Sequence, residues 1–181
     1  MATTWLIDPL HSEVQFKIKH LVISTVTGAF NSFEGSAQTE GDGFENAQVE
    51  VSMQVDSVNT GQDARDQHLR GDDFFNSAQF PTITFKSTAF TKAGGGEHYQ
   101  LTGDLTIKGV TKPVTFDVEH GGTAVDFYGN TKAGFEATGK INRKEFGLTW
   151  GGITEAGAIV VGEEVKLIMN IQLAKQVEAA A

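Results

Sequence analysis

Between Gln48 and Asp56, Val49, Val51, Met53 and Val55 alternate with Glu50, Ser52 and Gln54. Side chains two apart share a face of an extended chain, so this pattern describes a strand buried on one side and wetted on the other. The same period of two returns through most of the chain. Val14, Phe16 and Ile18 alternate with Gln15, Lys17 and Lys19; Ile83, Phe85, Ser87 and Ala89 share one face; so do Tyr99, Leu101, Gly103, Leu105 and Ile107. Val114, Phe116 and Val118, then Ala133, Phe135, Ala137, Gly139 and Ile141, and finally Val165, Leu167, Met169, Ile171 and Leu173 continue it. With the looser stretches Thr27 to Phe30 and Phe33 to Ser36, this predicts an all-β chain of about eight antiparallel strands, packed as a sandwich or closed as a barrel.

The connections carry turn chemistry. Gly41-Asp42-Gly43, Gly94-Gly95-Gly96 and Gly121-Gly122 read as glycine turns, and Lys108 to Pro113 as a hairpin connection. Pro9 stops a ladder near the N-terminus. One stretch breaks the rhythm, Arg65 to Pro81. Thr60 followed by Asp63 resembles a capping box and predicts a helix of two to three turns up to Arg70, with Ala64, His68 and Leu69 on one face and Gly71 as its C′ residue. Asp72 to Phe75 reads as a second turn, and Phe80 is extended because Pro81 follows it. Asn142 to Leu148 and Gly151-Gly152 read as a loop with a short extended piece, and 176–181 as a frayed tail. The 181 residues fit a single domain, 1–181, with its core between 5 and 175.

Composition narrows the function. The chain has no cysteine, which removes disulfides and thiol chemistry. Fourteen basic residues against twenty-three acidic ones give a net charge of -9, which argues against nucleic acid and against docking on anionic lipid surfaces. No stretch approaches the roughly 18 apolar residues of a membrane span, and Met1 to Leu10 lacks the charge and length of a secretory signal. As written, the chain reads as soluble and cytoplasmic, or periplasmic if a signal has been removed ahead of it.

A barrel of eight strands is at the width where side chains either just fill the interior or leave room for one small ligand. On the inward faces Ser87, Ala89, Gly103, Ala133, Ala137 and Gly139 are small, which favours a cavity; the alternative is that they face phenylalanines across a solid core. The expected apolar lining is Val14, Phe16, Ile18, Phe30, Phe33, Val51, Met53, Leu69, Phe75, Phe85, Leu105, Phe116, Phe135, Ala137, Leu167 and Met169, and its guest would be apolar. Phe74 and Phe75, as neighbours, are expected to divide between the core and the cavity mouth or a partner.

The search for reactive groups returns little. His11, His20, His68, His98 and His120 lack the spacing of metal-ligand pairs, so no metal is expected. His11 and Ser12 are adjacent and point to opposite faces. No glycine-rich loop joins a strand to a helix, which removes phosphate-cradling nucleotide sites. No catalytic residues and no cofactor are assigned. Arg65 and His68 are candidate head-group contacts, with Asp66 beside them; ordinary capping and charge pairing at a helix end is the favoured reading of that cluster. Arg143 and Lys144 read as a solvated turn.

Taken in order, these residues resemble a known family. Trp5-Leu6-Ile7-Asp8 with His11-Ser12, Phe16 and His20, Gly28 to Phe30, Arg65-Asp66 with His68-Leu69, Phe74-Phe75, Phe80-Pro81, Gly103 to Pro113, and Asn142-Arg143 with Phe146-Gly147 resemble the YceI-like family of bacterial proteins. The resemblance spans residues 5 to 175. It implies a lipocalin-like, eight-stranded antiparallel barrel with a short helical segment near one opening. It also implies binding of a long isoprenoid, such as a polyprenyl chain or quinone tail, in an elongated apolar tunnel, commonly in a homodimer. Many relatives are periplasmic, and the family supplies no catalytic residues. The expected function is therefore non-enzymatic binding, transport or sequestration of an isoprenoid or fatty-chain lipid, with the stretch from Arg65 to Pro81 as a lid or rim. Two alternatives stay open: a barrel isomerase or cyclase using Asp66, His68 or Tyr99, and an interaction or stress-protective module with a filled core.

Overall fold

The computed structural model describes residues 2–41, 43–150 and 161–176. Eleven strand segments follow one another: β1 Ala2–Ile7, β2 Glu13–His20, β3 Ser24–Phe30, β4 Phe33–Glu40, β5 Gln48–Gln54, β6 Val58–Asn59, β7 Thr82–Lys92, β8 His98–Ile107, β9 Val110–Val125, β10 Thr131–Asn142 and β11 Val161–Lys175. Among the described residues the single α-helix, α1, runs over Asp63–Arg70.

These segments form eight staves, because three staves are broken in the middle. Both β1 and β2 pair with β11, Trp5 to Ile7 against Leu173 to Lys175 and Glu13 to His20 further along, so together they make one stave interrupted at Asp8-Pro9. β4 pairs with β1 and β3 with β2, which makes a second stave bent at Asn31-Ser32; β5 and β6 make a third, bent by a single turn at Val55–Ser57. β7, β8, β9, β10 and β11 follow in order, every pairing is antiparallel, and the contact of β11 with β1 closes the barrel. Proline at position 9, with no N–H to donate, marks the first break as its chemistry requires.

Two bulges move side chains away from where strict alternation puts them. The register of β7 against β8 shifts between Ser87 and Ala89, so Ala89 is exposed and Phe90 is buried in its place. Gly121-Gly122 is not a turn. β9 runs through it, with a register slip opposite Gly134 and Phe135 and Gly122 at φ +124°, a value glycine adopts without strain. The hairpin tip lies instead at Asp126–Asn130, where the Asp126 carboxylate accepts from the backbone N–H groups of Tyr128 and Asn130, each at 2.9 Å. The Lys108 connection is shorter than expected: Lys108 (φ 52°) and Gly109 (φ 75°) alone make a primed two-residue turn, and Val110 to Pro113 belong to β9.

The helix starts and stops close to its predicted bounds by different means. Gln62 is the N-cap residue and makes no side-chain cap bond; Thr60 donates from its backbone N–H and its hydroxyl to the Asp66 carboxylate. Gly71 is extended, not left-handed; its N–H bonds the His68 carbonyl, and the left-handed residue of the following turn is Asn76 (φ 51°). The expectations for Gly151-Gly152, for the tail beyond Gln176 and for Asp42 fall outside the described residues.

The register fixes two ends. At one, the base, lie the start of β10, the end of β11 and the β4–β5 loop. At the other, the mouth, lie the β2–β3 hairpin, the β8–β9 turn, α1 and the turn Arg143–Phe146 that follows β10.

Candidate functional site

Inward side chains of the barrel do not meet across a filled core. Phe16, Ile18, Val51, Met53, Leu69, Phe75, Phe135, Leu167 and Met169 face inward and still stay only half-buried, because they border open space. That space is a cavity of about 760 Å³, lined almost wholly by apolar side chains and within the range of ligand pockets.

All of the predicted lining positions border this cavity except Phe33. Phe33 stands at the first residue of β4, just past the bend at Asn31-Ser32, where it is half-buried outside the lining. Arg65 and His68 do border the cavity, beside Thr60 and Gln62 at its mouth. Ala64, His68 and Leu69 share the helix face turned to it, as their spacing predicts. Phe74 is buried in the core against His68 and Trp150 and Phe75 is half-buried, edge-on to Phe30 at 5.8 Å; both border the cavity. Val49, Leu101 and Ile171 continue the same alternating faces and complete the wall. Phe44 and Trp150 come from loops, where no periodicity announces them.

Small residues do less to open the cavity than expected. A Cβ on Gly139 would stand 2.6 Å from the Phe116 ring, one on Gly103 2.5 Å from the Phe85 ring, and one on Gly28 2.2 Å from the Phe16 ring. These glycines are seats for rings lying flat on the neighbouring strand, and the rings fold against the wall instead of across the bore. The cavity is open because the aromatics are laid aside. Ala137, opposite Val118 and Met169, does border it.

The base is filled by rings. Phe44, from the β4–β5 loop, packs 5.0 Å from Trp5, 5.1 Å from His120 and 4.9 Å from Phe135, and His120 stacks on Phe135 at 4.7 Å. Trp5 Nε1 donates to Thr39 Oγ1 at 3.2 Å, and His120 Nδ1 pairs with Glu97 at 2.8 Å, so the polar atoms of the cluster are partnered.

The mouth is polar and organised. Arg65 donates from Nε to the Thr60 hydroxyl and from Nη2 to the Thr60 carbonyl, both at 2.7 Å, while Asp66, only 4 % exposed, holds the same threonine. The cluster thus anchors the helix to the end of β6. His68 Nε2 pairs with Asp73 at 2.9 Å and its ring meets Trp150 edge-on at 4.9 Å.

Arg143 departs from its reading as a solvated turn. It is 3 % exposed, borders the cavity and donates to four carbonyl oxygens, those of Leu148 (2.6 Å), Trp150 (2.6 Å), Gly162 (2.7 Å) and Val161 (3.3 Å). Burial pulls its guanidinium pKa down, and the charge of Glu163 opposes that pull. Its partner in the motif, Lys144, is exposed and pairs with Glu163 at 2.9 Å. Side-chain patterns could not reveal a partner set made of backbone carbonyls.

Among the described residues, no three of His, Cys, Asp and Glu converge as metal ligands, and no helix is long and apolar enough to cross a membrane. Of the groups named for barrel chemistry, Asp66 is held by Thr60, and Tyr99 stacks on Phe90 at 4.7 Å outside the lining. His68 alone of the three borders the cavity.

Known proteins resemble this chain in sequence or in fold. A UPF0312 protein of Yersinia pestis (strain Pestoides F) is 41 % identical over 162 residues, which cover 90 % of this chain and 80 % of the relative. A Campylobacter jejuni YCEI protein that crystallizes with large solvent channels superposes with a TM-score of 0.72 at 32 % identity, over 88 % of this chain and 90 % of the other. A polyisoprenoid binding domain from Saccharophagus degradans, implicated in plant cell wall breakdown, shares the fold with a TM-score of 0.67 at 17 % identity, over 95 % of this chain and 98 % of the other. The model of the YceI-like domain matches residues 5–173, and the chain belongs to that family.

Proposed function

We propose that the barrel binds a long apolar lipid of the isoprenoid type, a polyprenyl chain or quinone tail, with the tail in the cavity and the head group at the mouth beside Arg65 and His68. The observation that carries this reading is the wall of inward apolar side chains left half-buried around about 760 Å³ of space. The Saccharophagus degradans domain of the same fold, named for polyisoprenoid binding, supports it. Each buried methylene contributes about 0.8 kcal/mol, so a tail burying about ten of them gains roughly 8 kcal/mol, which makes micromolar binding the ceiling once the costs of immobilisation are subtracted. Affinity then comes from the tail and orientation from the head group.

No chemical transformation is part of this proposal, because a cavity with so few convergent polar groups stabilises no charged transition state. A homodimer is part of it, on the strength of the family resemblance, and sedimentation of the purified protein tests that component. The lipid is tested by solvent extraction of purified protein followed by mass spectrometry, together with binding of prenyl alcohols of graded length. The expected result is a co-purifying prenyl lipid and affinity that rises with chain length; repeated absence of lipid with no length dependence overturns the reading.

A further inference from the structure

The turn that joins β2 to β3 is built against the ordinary rules of turns. His20 pairs with Ser24, and the three residues between them are Leu21, Val22 and Ile23. Leu21 has φ 54° and Val22 φ 65°, in the left-handed region where asparagine and glycine are at ease and a β-branched residue is an outlier. The turn nevertheless holds its apolar side chains out to water: Val22 is 69 % exposed and Ile23 86 %. Elsewhere the same chain meets this demand in the usual way, with Gly109 in the β8–β9 turn. Backbone strain kept together with exposed apolar surface points to a use for that surface.

Its position says what the use is. Lys19, His20 and Val26, the residues flanking the tip, border the cavity, so the tip stands on the rim of the mouth. Gln62 and Ala64, both exposed, border the same cavity from the segment that follows β6, the neighbour of β3. The hairpin is stapled internally: Lys19 Nζ donates to Thr25 Oγ1 at 3.1 Å and Ser24 Oγ to the His20 carbonyl at 3.1 Å. Its charge is also unlike that of the chain. Between Glu13 and Glu34 there is no acidic residue, whereas Lys17, Lys19 and His20 lie there, in a molecule of net charge -9. At the adjoining end of β11, Glu163 and Glu164 are paired with Lys144 at 2.9 Å and Lys140 at 3.5 Å, and Asp73 beneath α1 is paired with His68.

We infer that the β2–β3 tip docks the barrel mouth-down on a phospholipid bilayer, Val22 and Ile23 entering the acyl boundary while Lys17 and Lys19 lie at the level of the phosphates. The inference rests on the apolar-guest reading for its purpose: the guest's reservoir is the bilayer, and a mouth pressed to it spares the tail a passage through water. The net negative charge opposes attraction of the whole molecule, so the contact is local and oriented.

The test is flotation of lipid-stripped protein with vesicles of phosphatidylcholine and phosphatidylglycerol that contain no prenyl lipid. Because the chain has no cysteine, Ile23→Cys carries a single polarity-sensitive fluorophore, and Phe127→Cys is its control at the opposite end, where Phe127 is fully exposed at the β9–β10 tip. The expected results are a blue shift from position 23 and none from 127, and partitioning at least about tenfold weaker in Val22→Gly/Ile23→Ser. Glycine suits the backbone at position 22, so that variant keeps its thermal midpoint and a folding defect does not explain the loss. Flotation unchanged by the double substitution, an equal loss in Phe127→Ser, or tip substitutions that dissolve a dimer without touching flotation overturns the inference. Uptake of prenyl alcohols from detergent without flotation overturns docking alone; flotation of a protein that takes up no prenyl chain sustains docking and overturns the guest reading.

Discussion

The ring of Phe116 lies 2.6 Å from the point where a Cβ on Gly139 would stand. Phe85 over Gly103 and Phe16 over Gly28 repeat the arrangement on other strands. In each case the glycine lets a large ring lie along the wall, and the width of the bore follows from it.

The seats differ in what a methyl group would meet, and this separates their effects. At Gly28 the three nearest atoms all belong to the Phe16 ring, so Gly28→Ala turns that ring into the cavity and lowers the capacity for apolar probes more than it lowers stability. At Gly103 a Cβ also meets the Lys86 carbonyl at 2.5 Å and the Ser87 backbone at 2.8 Å, so Gly103→Ala destabilises by about 1–3 kcal/mol. Gly134 has open space around it, and Gly134→Ala stabilises by about 0.5 kcal/mol. Urea unfolding beside dye binding orders the three.

Ala137→Phe places a ring in the bore opposite Val118 and Met169. It abolishes uptake of prenyl alcohols and leaves the thermal midpoint within a few degrees. A drop in stability of about 1–3 kcal/mol, the cost of forcing volume into a full core, would show that the space is already occupied by protein.

Arg143→Met keeps side-chain length and removes every donor from the four carbonyls it serves. Unsatisfied buried carbonyls cost about 1–3 kcal/mol each before relaxation, so unfolding in urea shows a loss of about 3 kcal/mol or more. Arg143→Lys recovers only part of it, since an ammonium cannot reproduce the guanidinium fork.

Asp8 binds Lys132 and His11, each at 2.9 Å, and its pKa is lowered from 3.8 to about 2, first by the Lys132 hydrogen bond and then by that of His11. A carboxylate whose folded pKa lies below its unfolded value contributes stability that is complete above the unfolded pKa and disappears as pH falls through the folded one. The contribution, at most about 2 kcal/mol after solvent screening, is lost between about pH 4 and pH 2. Asp8→Asn lowers the thermal midpoint at pH 7 and removes that acid-dependent component; an unchanged acid limb of the stability profile would refute the pairing.

Much of the barrel was readable because each strand buries one face, and alternation reports which. The helix from Asp63 to Arg70 was readable because it interrupts that alternation. Ala89 and Gly121-Gly122 were misplaced because one bulged residue reverses inside and outside without altering composition. Glycine positions suggested empty volume because a sequence does not state that the ring beside each glycine fills its seat. Arg143 was misread because its partners are backbone carbonyls, of Leu148, Trp150, Val161 and Gly162, and Phe44 and Trp150 escaped because lone aromatics in loops have no period.

The rings of Trp5, Phe44, His120 and Phe135 give the barrel a floor. A tube open at both ends lets an arriving molecule push the resident out ahead of it. A floored vessel does not: whatever lies inside must back out through the doorway it used before another can enter. Turnover of the proposed guest would therefore be set by the departure of the occupant, and its rate would not rise with the concentration of the molecule waiting outside.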